Sequence, residues 1–161
     1  MRLRRECVTR SRRPCSLIRR ASQICEYFLD ILCGRNFVRT VPKTEVIFYQ
    51  AIDGNVPTLE WLHRIPPKAL AKCVTKIERL EELGHELRRP EADFLRDKIY
   101  ELRASCQGVH YRILYFFHGN KAAVLSHGIV KESIVPPKEI EIAIKRRLEF
   151  EANPAKHTYT Q

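Results

Sequence analysis

The residue types in this 161-residue chain that could do chemistry on an anion gather between Lys98 and Lys131. Tyr100, Leu102, Tyr111, Ile113 and Tyr115 place β-forming side chains at alternate positions. Between them Gln107-Gly108 offers a tight turn, with a glycine that tolerates φ > 0. A two-residue loop there pairs Cys106 with Val109 and sets Arg103 opposite Arg112. Like charges facing one another across a ladder are mildly destabilising. A bound anion would offset that repulsion; a slipped register, or neutralisation by Glu101, would remove it without a ligand. Groups able to move protons flank the pair. His127 ends the next expected strand, and histidine as a residue type titrates near neutrality. Glu101 shares the strand parity of Arg103, so it is either a base or only a charge partner. Lys98 opens the same strand, and His110 has the parity of Arg112. For any one of these cations the competing reading is an exposed surface charge whose ion pair is worth about 0–1 kcal/mol.

The elements that must position these groups follow from punctuation and periodicity. Glu45–Gln50 reads as a first strand, and Asp53-Gly54-Asn55 as a turn. Pro57 opens a short helix over Thr58–Arg64 with Leu59, Trp61 and Leu62 inward; Trp61 and His63 read as packing and surface residues. Ile65-Pro66-Pro67 breaks it, and a longer helix runs over Lys68–Leu83 with Leu70, Val74, Ile77 and Leu80 at helical spacing. Gly84 suits its C-terminal stop, and Cys73 reads as a core or boundary thiol. Residues 85–97 form a polar linker interrupted by Pro90. After the hairpin and the His118-Gly119-Asn120 turn comes a strand over Lys121–His127. Pro136 or Pro137 starts a last helix to about Glu151, with Ile140, Ile144 and Leu148 as its stripe and Lys145-Arg146-Arg147 on its polar side. Residues 153–161 read as a flexible tail. Tyr115, Phe116 and Phe117 read as core rather than as a base-stacking platform. The fold class expected is α+β: about four strands, mainly antiparallel, with two N-terminal helices on one face and a C-terminal helix.

Charge divides the chain. The formal net charge is +10, but residues 1–43 hold 11 Lys/Arg against 3 Asp/Glu, while residues 44–161 hold 18 against 16. Basicity therefore argues for a nucleic-acid partner less strongly in the folded part than in the whole. Residues 1–43 carry Arg4-Arg5, Arg12-Arg13 and Arg19-Arg20 and four of the six cysteines. Ile24–Leu32 could be a short apolar helix, but Glu26 and Asp30 interrupt it and no small-residue cleavage site follows, against a secretory signal. We expect this extension to be disordered or not natively translated, with an alternative start at Val41 or Val46; the rival is a basic arm that helps hold RNA. The domain expected is 44–152. Without a CxxC or His-x-His spacing, a metal site is not expected. Two scattered cysteines in that domain suit a reducing cytoplasm, and no apolar run approaches a membrane span.

Tyr100-Glu101-Leu102-Arg103 and Tyr111-Arg112-Ile113-Leu114-Tyr115-Phe116-Phe117 together resemble the RelE/ParE superfamily, toxins of type II toxin–antitoxin pairs, and within it the phage-derived, HigB-like branch. The resemblance continues through Val124-Leu125-Ser126-His127-Gly128, Lys131 and Pro137-Lys138-Glu139-Ile140-Glu141-Ile142-Ala143, spanning about residues 44 to 150. It implies a cytoplasmic, ribosome-dependent endoribonuclease that cuts messenger RNA by metal-independent attack of the ribose 2′-OH, without a cofactor. It also implies a helix-turn-helix antitoxin as partner, besides the ribosome and mRNA. On matching positions Arg112 is the first catalytic candidate, Arg103 the second and Lys131 the third, since arginine's fork suits phosphate. His127, Lys98 and Glu101 are the proton-transfer candidates; Arg96, Lys145, Arg146 and Arg147 are candidates for RNA contact. Some RelE-type toxins use a C-terminal tyrosine, but Tyr159 has no matching context and the role is not carried over. The alternatives are a ParE-like inhibitor of DNA gyrase without ribonuclease chemistry, and an inactive prophage remnant that only binds its antitoxin.

Overall fold

A computed structural model describes residues 43–130 and 134–160. Its order is β1 (Glu45–Phe48), α1 (Pro57–Arg64), α2 (Pro67–Leu83), a short 3-10 turn (Gly84–Glu86), β2 (Ala92–Phe94), β3 (Ile99–Cys106), β4 (Val109–His118), β5 (Ala122–Val130), α3 (Pro137–Ala152) and α4 (Pro154–His157). Each of the four α-helices described has proline in its first turn, where the missing N–H costs nothing and φ is already helical. The hairpin turn has positive φ at both Gln107 (53°) and Gly108 (80°), the signature of a type I′ turn whose twist matches its strands. Cys106 pairs with Val109 and Arg103 with Arg112, the register expected from the turn.

The sheet corrects the expected architecture. It has five strands in the order β1-β5-β4-β3-β2 and is mixed, because β1 runs parallel to β5 while the other neighbours are antiparallel. The extra strand, β2, lies in the stretch expected to be a polar linker. Its three residues are too few to carry a periodicity, and it forms because the Arg96–Lys98 loop, with positive φ at Asp97 and Lys98, returns the chain onto β3.

Strand alternation sorts side chains into two cores. Leu102, Tyr111, Ile113, Tyr115 and Leu125 pack with Leu62, Ala69, Cys73 and Leu80 under α1 and α2. Ile99, Leu114, Phe116 and Val124 pack with Ile140, Ala143 and Phe150 of α3 on the opposite face. The stripe of α3 is Ile140, Ala143 and Phe150 with Ile144 half-buried beside them, so Ile140 and Ile144 face the core as expected while Leu148 is exposed and Phe150 takes its place. Phe150 decides this rotation by meeting the Phe116 ring edge-to-face at 5.8 Å. The segment expected to be a flexible tail is held down. Tyr159 N–H donates to the Phe48 carbonyl at 3.1 Å and Thr158 bridges to Tyr49, covering one edge of the sheet; buried His157 stacks on the Tyr49 ring.

Candidate functional site

On the α3 face, β3 and β4 bring Glu101, Arg103 and Arg112 together near the hairpin end. Glu101 is 2% exposed, and its carboxylate receives Arg103 Nε at 2.7 Å and Arg112 Nη1 at 2.6 Å. It therefore bridges the two arginines that the register forces to face each other. The repulsion expected across the ladder is answered by the chain's own carboxylate, so the facing arginines do not in themselves require a bound anion. Arg103 Nη2 also donates to Asp93 Oδ2 at 2.8 Å, and Asp93 receives Arg89 Nη2 at 2.6 Å. A relay Arg89–Asp93–Arg103–Glu101–Arg112 results, crossing β2, β3 and β4. Beside it Glu91 holds Lys76 at 2.5 Å and Arg79 at 2.8 Å. The bond from Arg89 is the main reason the Asp93 carboxyl sits below its ordinary range, and the bond from Lys76 does the same for Glu91. Five cations thus share three carboxylates, and each carboxylate fixes the aim of two cations.

The relay borders a cleft of about 600 Å³ whose lining includes Lys72, Lys76, Glu91, Arg103, His110 and Arg112. Four cations line it against one carboxylate, in a domain that is nearly neutral, so the positive potential is local. Lys72 Nζ donates to the Ser105 carbonyl at 2.7 Å, capping the β3 edge where β2 has ended. His110 is exposed at the rim, with Nδ1 3.0 Å from Ser105 Oγ.

The other residues singled out by sequence have different places. His127 lies on the same face but is buried, its Nδ1 2.9 Å from Ser126 Oγ and its Nε2 3.1 Å from Glu139 Oε2. Burial first, then the Arg146 guanidinium, push its pKa down to about 4 against a smaller upward pull from Glu139. The ring is neutral at pH 7, donating to Glu139 and accepting from Ser126. Arg146 is not on an open polar face: it donates to the Ser126 carbonyl at 3.1 Å, lies over the Tyr49 ring, and burial lowers its pKa. The Arg147 side chain is 13% exposed and bonds Glu151 at 2.7 Å, whereas Lys145 is exposed. Lys98 sits in the loop before β3, five residues from Arg103, roughly 17 Å along an extended strand. It is not brought to the arginines. Arg96, in the same loop, reaches Glu141 of α3 at 3.5 Å. Lys131 lies outside the described residues. Sequence reasoning missed Asp93, Glu91 and Lys72; Asp93 lies within, and Glu91 just before, a strand too short to announce itself.

A family model described as phage derived protein Gp49-like (DUF891) matches residues 60–148, more than half of the chain. The chain belongs to the phage-derived Gp49-like family. A search of curated proteins finds no match. The matched stretch of the Gp49-like domain contains all of β2 to β5, and with them every residue of the relay and the cleft. Among the described residues no three His, Cys, Asp or Glu side chains converge as a metal site requires, and no helix is long and apolar enough to cross a membrane.

Proposed function

We propose that this Gp49-like protein is the toxin of a type II toxin–antitoxin pair, of the HigB-like kind, and that it cleaves translated messenger RNA on the ribosome. The observation that carries the reading is the carboxylate-aimed arginine pair, Arg103 and Arg112, at a cleft with four cations to one carboxylate. In-line attack of a 2′-OH on the adjacent phosphorus builds negative charge on the phosphate oxygens, and guanidiniums already fixed in place meet that charge without reorganising. Glu101, buried and accepting from both arginines, is a positioning residue rather than a base. His127 has both ring nitrogens engaged under α3, so His110, exposed on the cleft rim, is the better placed group to take the 2′-OH proton. As the 2′-oxygen bonds to phosphorus the P–O5′ bond breaks and the leaving 5′-oxygen takes a proton from water, giving a 2′,3′-cyclic phosphate and a free 5′-OH; no metal is needed. Translated mRNA incubated with the protein and ribosomes in chelator should be cut, and His110→Gln should slow the cut by about 10²-fold or more. Unchanged cleavage in that variant would remove His110 from the mechanism.

The same carboxylate pairing supports a second reading, inhibition of DNA gyrase by binding alone, because cations that are already satisfied need no substrate phosphate. DNA breaks without RNA fragments in arrested cells would favour it. An antitoxin with a helix-turn-helix domain is the partner proposed in either case.

A further inference from the structure

A second hollow of about 490 Å³ lies over the edge of β2, lined by Leu87, Arg88, Arg89, Ala92, Phe94 and Tyr100, with Asp93, already bonded to Arg89, as its one carboxylate. It adjoins the arginine cleft, because Arg89 lines the hollow, Pro90 lines the cleft, and Asp93 ties Arg89 to Arg103. Phe94 is 55% exposed, a large aromatic left in solvent on a strand of three residues, and it meets half-buried Tyr100 edge-on at 5.3 Å. Two arginines and a pair of rings around one hollow suit either a nucleotide or an acidic extended peptide added to the strand edge. The edge itself decides between them. Glu91 and Leu95 bond inward to β3, so the N–H groups of Ala92 and Phe94 point outward. Both are already taken, Ala92 by the Arg88 carbonyl at 3.2 Å and Phe94 by Asp93 Oδ1 at 3.1 Å. An added strand needs donors as well as acceptors along the edge, and here it would find no open donor. Stacking on a ring needs none.

We propose that Phe94, backed by Tyr100 and flanked by Arg88 and Arg89, is a stacking subsite for one base of single-stranded RNA whose backbone continues into the arginine cleft. The proposal rests on the RNA-cleaving reading and adds to it a place for a nucleotide on the α1/α2 face, reached round the β2 edge from the relay arginines on the α3 face. Arg88 and Arg89 meet the flanking phosphate, and the ring supplies a contact that is tolerant of base identity.

The test is binding of a dye-labelled single-stranded RNA octamer to the full chain by fluorescence anisotropy, with an abasic octamer alongside. Phe94→Ala should weaken the octamer roughly tenfold and leave the abasic strand unchanged, while Phe94→Trp should keep the affinity and show indole quenching on RNA addition. The exposure of Phe94 makes both variants compatible with the fold. If Phe94→Ala binds like the wild type while Arg103→Lys weakens, the cleft stands and the stacking subsite is overturned. If neither variant changes binding, the RNA-cleaving reading itself fails. Loss of an acidic peptide rather than of RNA on Phe94→Ala would overturn the subsite in favour of a protein-docking edge.

Discussion

At the level of single residues, the site turns on one buried carboxylate. Glu101 was legible as a neighbour of Arg103 by parity, and the facing of Arg103 and Arg112 followed from a two-residue turn. Neutralisation of the pair by Glu101 was one of the readings the residues left open; parity could not decide it, because it says which face a side chain takes and not which partner it meets. Removing a partner of a buried charge costs more than the pair contributes, about 3–5 kcal/mol for a fully buried one. Arg112→Ala should therefore destabilise the fold by roughly 2–4 kcal/mol, and adding Glu101→Gln should recover most of that loss in urea unfolding. A double variant as unstable as the single one would show that Glu101 is not what Arg112 satisfies. His127 supports a second prediction. Its folded pKa of about 4 lies below its ordinary value of 6.5, so the fold favours the neutral ring. The stability this confers is fully present above pH 6.5 and is lost as pH falls through the window from 6.5 to 4. Glu91 and Asp93, also depressed, extend the loss to lower pH. Thermal unfolding of the wild type should fall across that first window, and a His127→Gln variant should show a flatter profile there.

At the level of elements, the helices and the hairpin were readable because proline starts, a glycine stop and a type I′ turn are local chemistry. The fifth strand and the rotation of α3 were not. β2 exists through pairing rather than pattern, and the stripe of α3 was chosen by Phe116 and Ala143, which admit Phe150 and leave Leu148 outside. That rotation also takes Arg146 and Arg147 out of the expected RNA-facing set. Gly128 illustrates a constraint that only packing reveals. A Cβ there would lie 2.0 Å from Trp61 Cε3, so α1 rests its indole directly on the backbone of β5. Gly128→Ala should push Trp61 off the sheet at a cost of about 1–3 kcal/mol, read as a lower Tm and a red-shifted tryptophan emission. Unchanged emission would mean that the indole has another resting place.

At the level of the whole molecule, most of the formal charge lies outside residues 44–161, whose 18 cations and 16 anions leave little general attraction for RNA. Affinity from this part must come from its local excess, the four cations lining the cleft. For residues 41–161, the slope of log affinity against log salt should be about −3 to −4, the value for four phosphate contacts in the cleft and one more at Arg88 and Arg89 on a single strand. A slope near zero would remove the cleft as an RNA site, and a much steeper one would point to a wider basic surface.

Cleavage of messenger RNA at the arginine pair can be read by mapping 5′ ends in the first minutes after controlled expression of the protein in a bacterial host, wild type beside Arg112→Lys. Lysine keeps the charge next to Glu101 but loses the fork that holds a phosphate in two places, so the fold is retained while the chemistry is impaired. New 5′-hydroxyl ends should arise inside coding regions with the wild type, and about a hundredfold fewer with the variant. Growth arrest with intact messages would rule out RNA cleavage as the toxic act, and equal cleavage by both proteins would rule out the Arg112 fork as its source.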